Sequence, residues 1–310
     1  MTLKLGVIGS SAGNGHPYSW SAIFNGYDSV EMEKCGYPVI PRYLEQQQWP
    51  ASQIKEARVT AIWTQDIALS RHIAKAAKIE HVVTCYTDMV GQVDAVLLAR
   101  DDAYHHLQYA EPFLRQGIPI YIDKPIALSI NDLDKLYALE QYSGQIFTCS
   151  ALRYSKQLTL SEVDKQKLGS IKQITAFTPK SWSKYAVHII EPVLNMLSEG
   201  DEIVEMTAPT SDRSDGSGSL MVYWESGIQT NFFALGNGQS PISIRVFGTD
   251  SWMDFTFTDS FSAFKTALQT FIYGIQEKMV MSDKAFNTRV VQFLKEVAND
   301  RDNLDYWWYR

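Results

Sequence analysis

The chain is short of positive charge, short of cysteine and free of long apolar runs. Its 28 Lys and Arg face 35 Asp and Glu, a net charge of −7. General binders of nucleic acid or anionic membranes need clustered positive charge, so the balance argues against both. A local basic pocket for a phosphate-bearing ligand stays open. No run approaches the roughly 20 apolar residues of a membrane span. The opening MTLKLGVIGS lacks a basic region ahead of an apolar stretch of about 7–15 residues, and it reads as a strand rather than a signal peptide. Cys35, Cys85 and Cys149 are far apart and lack metal-ligand spacing. Free thiols in a reducing, cytoplasmic compartment are expected, and no metal. No internal repeat or heptad is visible.

What is there is an ordinary globular composition, 45% apolar and 20% charged over 310 residues, enough for one large or two ordinary domains. Apolar runs at Leu3–Ile8, Val59–Trp63, His81–Cys85, Asp94–Ala99, Ile118–Ile122 and Gln145–Ser150 predict strands. Between them, helical patterns run over Pro17–Asn25, Ile67–Lys78 behind an Asp66 cap, Tyr104–Gln116 and Ile130–Tyr142. Strands and helices alternating at this rhythm predict a doubly wound parallel sheet over residues 1–150. Residues 26–57, with three prolines and little periodicity, are expected to form an extended surface insertion. From 151 to 310 the pattern changes to strands rich in β-branched and aromatic residues: Ile171–Thr178, Glu202–Thr207, Leu220–Trp224, Ile228–Ala234 and Ile242–Phe247. Asp212–Ser219 has the composition of a flexible loop. Helical patterns near Phe261–Glu277 and Ala285–Ala298 close the chain. A second, α+β domain with a mostly antiparallel open sheet is the expectation, so the fold class is α/β with a Rossmann-type first half.

Ligands of an open parallel sheet bind at the carboxyl ends of its strands. Three stretches fall there. GVIGSSAGNGHP, residues 6–17, has small residues that let backbone amides approach a pyrophosphate at a helix amino terminus. Gly9, Ser10, Ser11, Asn14, Gly15 and His16 are its candidate contacts, although Ser11 stands where G-x-G-x-x-G has its second glycine. An ordinary strand–helix turn is the plain alternative. ARDDAYHH, residues 99–106, follows the central apolar strand. Asp102 there serves equally as a helix cap, and His105 as a residue packed under the helix. YIDKPIALS, residues 121–129, places Lys124 at a strand's end with Pro125 fixing the backbone direction.

Taken in order, these stretches resemble the Gfo/Idh/MocA family, named for glucose–fructose oxidoreductase, inositol dehydrogenase and a rhizopine-catabolism protein. Asp123-Lys124-Pro125 matches its E-K-P with a conservative first position. Arg153-Tyr154 resembles its "RY/RF" element, Leu168-Gly169-Ser170-Ile171 its "iGxi" entry to the second domain, and Val246–Ser251 its late "GtxG" turn. His188-Ile189-Ile190-Glu191 matches H-x-x-D with glutamate as the acid. The likeness spans most of residues 3–298 apart from 26–57.

The resemblance implies a dinucleotide-dependent dehydrogenase of sugars, cyclitols or sugar acids. It places Lys124 near nicotinamide and substrate and makes His188 the acid/base on the substrate hydroxyl, a role suited to imidazole. Arg100, Asp102 and His105 would line the cofactor cleft. Arg153, Tyr154, Trp182, Tyr185 and Glu191 would belong to the substrate side. It also implies a homodimer or homotetramer built through the second sheet, acting on a small sugar-like molecule.

Two departures stand out. Lys184 occupies the position of the aspartate that usually precedes the catalytic histidine by four residues, so it either joins proton transfer, marks an anionic substrate, or signals lost dehydrogenation. At the end of the second strand, Thr64 takes the place of the ribose-binding acid and Asp66 becomes the next helix cap. The cofactor is therefore NAD or NADP, with NAD ahead. The competing class is a non-catalytic sensor or scaffold that binds nucleotide without turnover; a different sugar-modifying reaction with a retained cofactor is a third reading. The tail DYWWYR, 305–310, is expected to pack on the body or on a partner.

Overall fold

A computed structural model describes residues 2–209 and 214–297. Strand β1 (Leu3–Ile8) leads through Gly9 to α1 (His16–Asn25), whose first turn holds Pro17, where a missing N–H leaves no bond unmade. Then come α2 (Ser29–Met32), α3 (Val39–Glu45), β2 (Ala57–Trp63), α4 (Ile67–Ala76) and β3 (His81–Val82). The series continues through β4 (Ala95–Leu98), α5 (His106–Leu114), β5 (Ile120–Ile122), α6 (Ile130–Tyr137) and β6 (Ile146–Phe147). The strands lie in the order β3-β2-β1-β4-β5-β6, every pair parallel. The order reverses between β1 and β4, where sheets of this kind open a ligand crevice. Every residue of β4 and β5 is buried, as strands covered on both faces require.

Residues 26–57 are not an extended surface strap. They fold into α2 and α3, and Met32, Ile40, Leu44 and Ile54 are buried. Two of the three prolines sit at a helix start: Pro38 caps α3 and Pro41 lies in its first turn. Other expected elements are shorter than their apolar patterns. The third strand stops at Val82, α6 stops at Tyr137, and a 3₁₀ turn (Ala103–His105) precedes α5.

The chain continues with α7 (Glu162–Leu168), β7 (Ile171–Thr178), α8 (Trp182–Tyr185), α9 (Val187–Leu194), β8 (Ile203–Thr207) and β9 (Gly218–Trp224). It ends with β10 (Gln229–Ala234), β11 (Ser243–Gly248), β12 (Trp252–Thr256), α10 (Ser260–Glu277) and α11 (Lys284–Val297). The second sheet has the order β12-β11-β7-β10-β9-β8 and is antiparallel except for β7 with β10. Burial alternates along β10, so one face is covered and the other open. Strand β12 carries an exposed Trp252 and gave no clear strand signal in sequence.

Two motifs of the family resemblance prove to be one structural joint. Gly169 has φ +69°, and a Cβ there would lie 2.3 Å from Thr249 Oγ1. A Cβ on Gly248 would lie 2.0 Å from the Leu168 carbonyl oxygen. The two turns exchange hydrogen bonds, Thr249 N–H to Ser170 O at 3.0 Å and Asp250 N–H to Leu168 O at 3.0 Å. Only glycine allows backbones to approach so closely.

The described residues divide into two compact units, those up to Cys149 with Ser260–Asn287, and those of Ser150–Asp259 with Thr288–Val297. Helix α10 thus belongs with the first sheet instead of closing the second half. Its buried face, Phe261, Ala263, Ala267, Leu268, Phe271 and Ile272, recurs at helical spacing. Phe271 meets Tyr121 of β5 and Phe147 of β6, with ring centroids 5.7 and 5.6 Å apart. The segment 305–310 lies outside the described residues, among which no helix is long and apolar enough to cross a membrane.

If α3 is part of the core, Leu44→Ala lowers the free energy of unfolding by about 2–5 kcal/mol in urea titrations. A strap on the surface would lose less than about 0.5 kcal/mol.

Candidate active site

In the first unit, the loop between β1 and α1 is laced to three strand ends. The Gln65 side chain, just past β2, pairs with both backbone groups of Ser10: Ser10 N–H donates to Oε1 at 3.0 Å and Nε2 donates to Ser10 O at 2.8 Å. Past β4, Asp101 Oδ1 accepts from the Ser11 hydroxyl at 2.6 Å, and Ser11 Oγ accepts the Asp101 amide at 3.1 Å. Past β5, Asp123 Oδ2 accepts from Asn14 Nδ2 at 2.8 Å and from His16 Nδ1 at 2.5 Å. Asn14 turns its other side-chain atom on the helix, accepting the His16 amide at 2.8 Å. The His16 ring stacks on Trp20 at 4.7 Å.

Lys124 follows on the same turn and is buried, its Nζ 3.9 Å from Asp101 Oδ2. Its amide donates to Asp123 Oδ1 at 2.8 Å, so both carboxylate oxygens of the buried Asp123 are bonded. That satisfaction is what makes a buried carboxylate tolerable. Arg100 is also buried. It grips Asp102 through Nε and Nη2, donates from Nη1 to Gln65 Oε1 at 3.1 Å, and lies over the Tyr109 ring at 4.6 Å. His105 donates to Asp102 Oδ2 at 2.8 Å and is half-exposed. The histidine packed under α5 is its neighbour His106, bridging the carbonyls of Arg100 and Ile126 at 2.8 and 3.0 Å.

Thr64 bonds within its own turn. Its buried hydroxyl donates to the Asp66 carbonyl at 2.6 Å and meets Ser70 Oγ at 2.9 Å. Asp66 caps α4, accepting the Ala68 amide at 2.8 Å. Both close the turn after β2, and Gln65 between them is the residue turned on the loop.

These residues fit a dinucleotide's phosphates. The amides of Ser11, Ala12, Gly13 and Gly15 donate to no group among the described residues. Ala12 and Gly13 are exposed, Gly13 has φ +78°, and nothing lies within 4 Å of its Cβ position. An open run of unengaged amides before a helix is what an anion binds. Gly9 serves packing instead, since a Cβ there would lie 2.4 Å from Pro17 Cγ.

In the second unit, His188 and Glu191 stand one turn apart on α9. The Ser150 hydroxyl lies 2.8 Å from His188 Nδ1, and the Ser150 amide donates to Glu191 Oε1 at 2.8 Å. The Tyr185 ring meets His188 edge-on at 5.2 Å, and Lys180 Nζ donates to the Tyr185 hydroxyl at 2.5 Å. Arg153 lies over the Tyr154 ring at 5.8 Å on the turn that Ser150 opens, and Lys184 is half-buried on α8. Trp182 is buried and its indole N–H donates to the Leu294 carbonyl at 3.1 Å. Glu191, expected to touch substrate, is only 3% exposed.

Sequence reasoning missed Gln65, Asp101 and Ser150 as positioning groups. Asp101 had a signal, standing between a base and an acid, Arg100 and Asp102, already singled out at a strand end. Gln65 and Ser150 had none, because a polar residue past a strand is ordinary until its partner is known.

Residues 35–150 match the model of an oxidoreductase family with an NAD-binding Rossmann fold, the family whose motifs the sequence resembles. A search of curated proteins finds no match. Among solved structures, myo-inositol 2-dehydrogenase from Lactobacillus plantarum is 15% identical with a TM-score of 0.70, covering 95% of this chain and 96% of that one. Scyllo-inositol dehydrogenase from Lactobacillus casei, solved with NAD(H) and scyllo-inositol, is 17% identical with a TM-score of 0.66, covering 96% of each. GenD2 from gentamicin A biosynthesis, in complex with NAD, is 14% identical with a TM-score of 0.71, covering 95% of this chain and 93% of that one. At these identities the likeness establishes the fold.

Burial pushes the Glu191 carboxyl up to about 7 from 4.5, against the downward pull of Arg153 and the Ser150 amide. An unfolded chain therefore releases this proton near pH 4.5 while the folded chain keeps it until about 7. Across that window the folded state binds more protons, so stability falls as pH rises, by on the order of 3 kcal/mol from this group. Glu191→Gln removes the dependence. Melting curves should show the variant gaining on the native protein between pH 5 and pH 8; a constant difference would contradict the burial of an ionisable group.

Proposed function

Since residues 35–150 match the model of an oxidoreductase family with an NAD-binding Rossmann fold, we propose that this chain is a nicotinamide-dependent dehydrogenase of a sugar, cyclitol or sugar acid. The observation that carries the reading is the loop from Ser11 to Gly15, whose unengaged amides lie beside the buried Lys124 turn. Those amides would hold the pyrophosphate. The nicotinamide, when bound, supplies the hydride acceptor or donor. Lys124 polarises the oxygen of the reacting carbon and His188 takes or returns its proton. The inositol dehydrogenases among the solved relatives support a polyol-like substrate.

NAD is the preferred cofactor in this reading. A 2′-phosphate needs an available cation, and the Arg100 guanidinium is already bound to Asp102 and Gln65 and stacked on Tyr109. The acid usual before the catalytic histidine is Lys184, and Lys180 and Arg153 add two more cations to the second unit. A carboxylated or phosphorylated sugar is therefore the favoured substrate class over a neutral one. The same reading includes a homodimer or homotetramer through the open face of the second sheet, where Phe177 and Phe233 stack at 5.2 Å; equilibrium sedimentation checks it, and a monomer at micromolar concentration counts against it.

Titration with NADH and NADPH, followed by fluorescence and melting temperature, should give saturable binding with NADH the tighter. A panel of neutral and acidic polyols with NAD should show turnover, faster on the acids. Lys124→Met and His188→Asn should each lower kcat by about 10²–10⁴-fold. Tight nucleotide binding with no turnover on the panel would return the protein to the sensor class, and no binding of either nucleotide would remove both readings.

A further inference from the structure

The family pattern has an aspartate four residues before His188, where this chain has Lys184, and the His188 ring is held. Ser150 provides the hold: its hydroxyl oxygen lies 2.8 Å from Nδ1 and also accepts the Leu152 amide at 3.3 Å. Ser150 is itself fixed through its amide to Glu191 Oε1, a side chain on α9 that shares the face of His188 three residues earlier. Glu191 is buried, and its Oε2 makes no hydrogen bond. Nothing in a merely structural role demands a carboxyl group there with one oxygen unmatched, since burying one costs free energy.

We propose that Ser150 and Glu191 are positioning residues for His188, a backbone-anchored relay standing in for the carboxylate absent at position 184. Glu191 fixes the Ser150 backbone, and Ser150 Oγ accepts a hydrogen bond from Nδ1–H. That choice puts the ring's lone pair on Nε2, the nitrogen that exchanges a proton with substrate. Arg153 is the cation whose field acts on Glu191, and the Tyr185 ring braces His188 from the side. The relay parallels the way a second group sets the tautomer of a catalytic histidine elsewhere. Its catalytic consequence rests on the dehydrogenase reading; the hold on the ring does not.

The test uses ¹⁵N-edited spectra of the histidine rings in the full chain without substrate, with His188 assigned by its Asn variant. The native protein should show His188 as a single Nδ1–H tautomer. Ser150→Ala and Ser150→Cys should give a mixture of tautomers, Ser150→Thr should restore one, and Glu191→Ala should behave like Ser150→Ala. Glu191→Gln keeps an oxygen for the Ser150 amide and should hold the native tautomer. In turnover, Ser150→Ala should lower kcat by about tenfold or more with KM within about threefold, and leave the NADH Kd unchanged. An unchanged tautomer in folded Ser150→Ala or Ser150→Cys, or a native ring that is Nε2–H, overturns the proposal. If the native chain turns over no polyol, the dehydrogenase reading fails while the spectra still judge the relay.

Discussion

The first unit is organised around one buried carboxylate. Asp123 stands at the carboxyl end of β5 and accepts from Asn14, His16 and the Lys124 amide. A carboxylate so deep is tolerable only because each oxygen has a donor. In meeting that need it ties the β1–α1 loop to the turn that carries Lys124. Asp101 does the same for Ser11, and Gln65 for Ser10. Three strand ends therefore set the shape of a loop that lacks the usual glycine spacing. The amides those bonds do not use are the ones left for an anion.

The second unit applies the same device to an imidazole. Glu191 binds a backbone amide, and that backbone presents the hydroxyl that holds His188. A carboxylate acting through backbone leaves position 184 free to carry a lysine.

The strand–helix alternation of the first half was legible because fully buried parallel strands are apolar at every position, as β4 and β5 are. The second sheet was legible from β-branched runs and short turns, except β12, where Trp252, Asp254 and Thr256 face outward and break the pattern. Residues 26–57 misled because prolines at a helix start look the same as prolines in a coil. Helix α10 misled because an amphipathic pattern says which face is buried and not against which sheet. Among the candidate site residues, His16, Asn14, Ser11 and Lys124 were named from their place at strand ends, while the buried hydrogen bonds of Thr64 and Trp182 left no mark in the sequence. Gln65 and Ser150 act through bonds to backbone far away in sequence, and such bonds leave no mark in a single chain.

The most direct test of the account is the affinity for NADH when Asp123 is replaced by Asn, measured by calorimetry alongside the melting temperature. Asparagine has the same shape but puts an amide N–H₂ donor where an acceptor is needed, opposite Asn14, His16 or the Lys124 amide. The account predicts a folded protein that binds NADH at least about tenfold more weakly, a loss of about 1.4 kcal/mol. Unchanged affinity in a folded variant would contradict it, because the loop would then owe its shape to something other than this carboxylate.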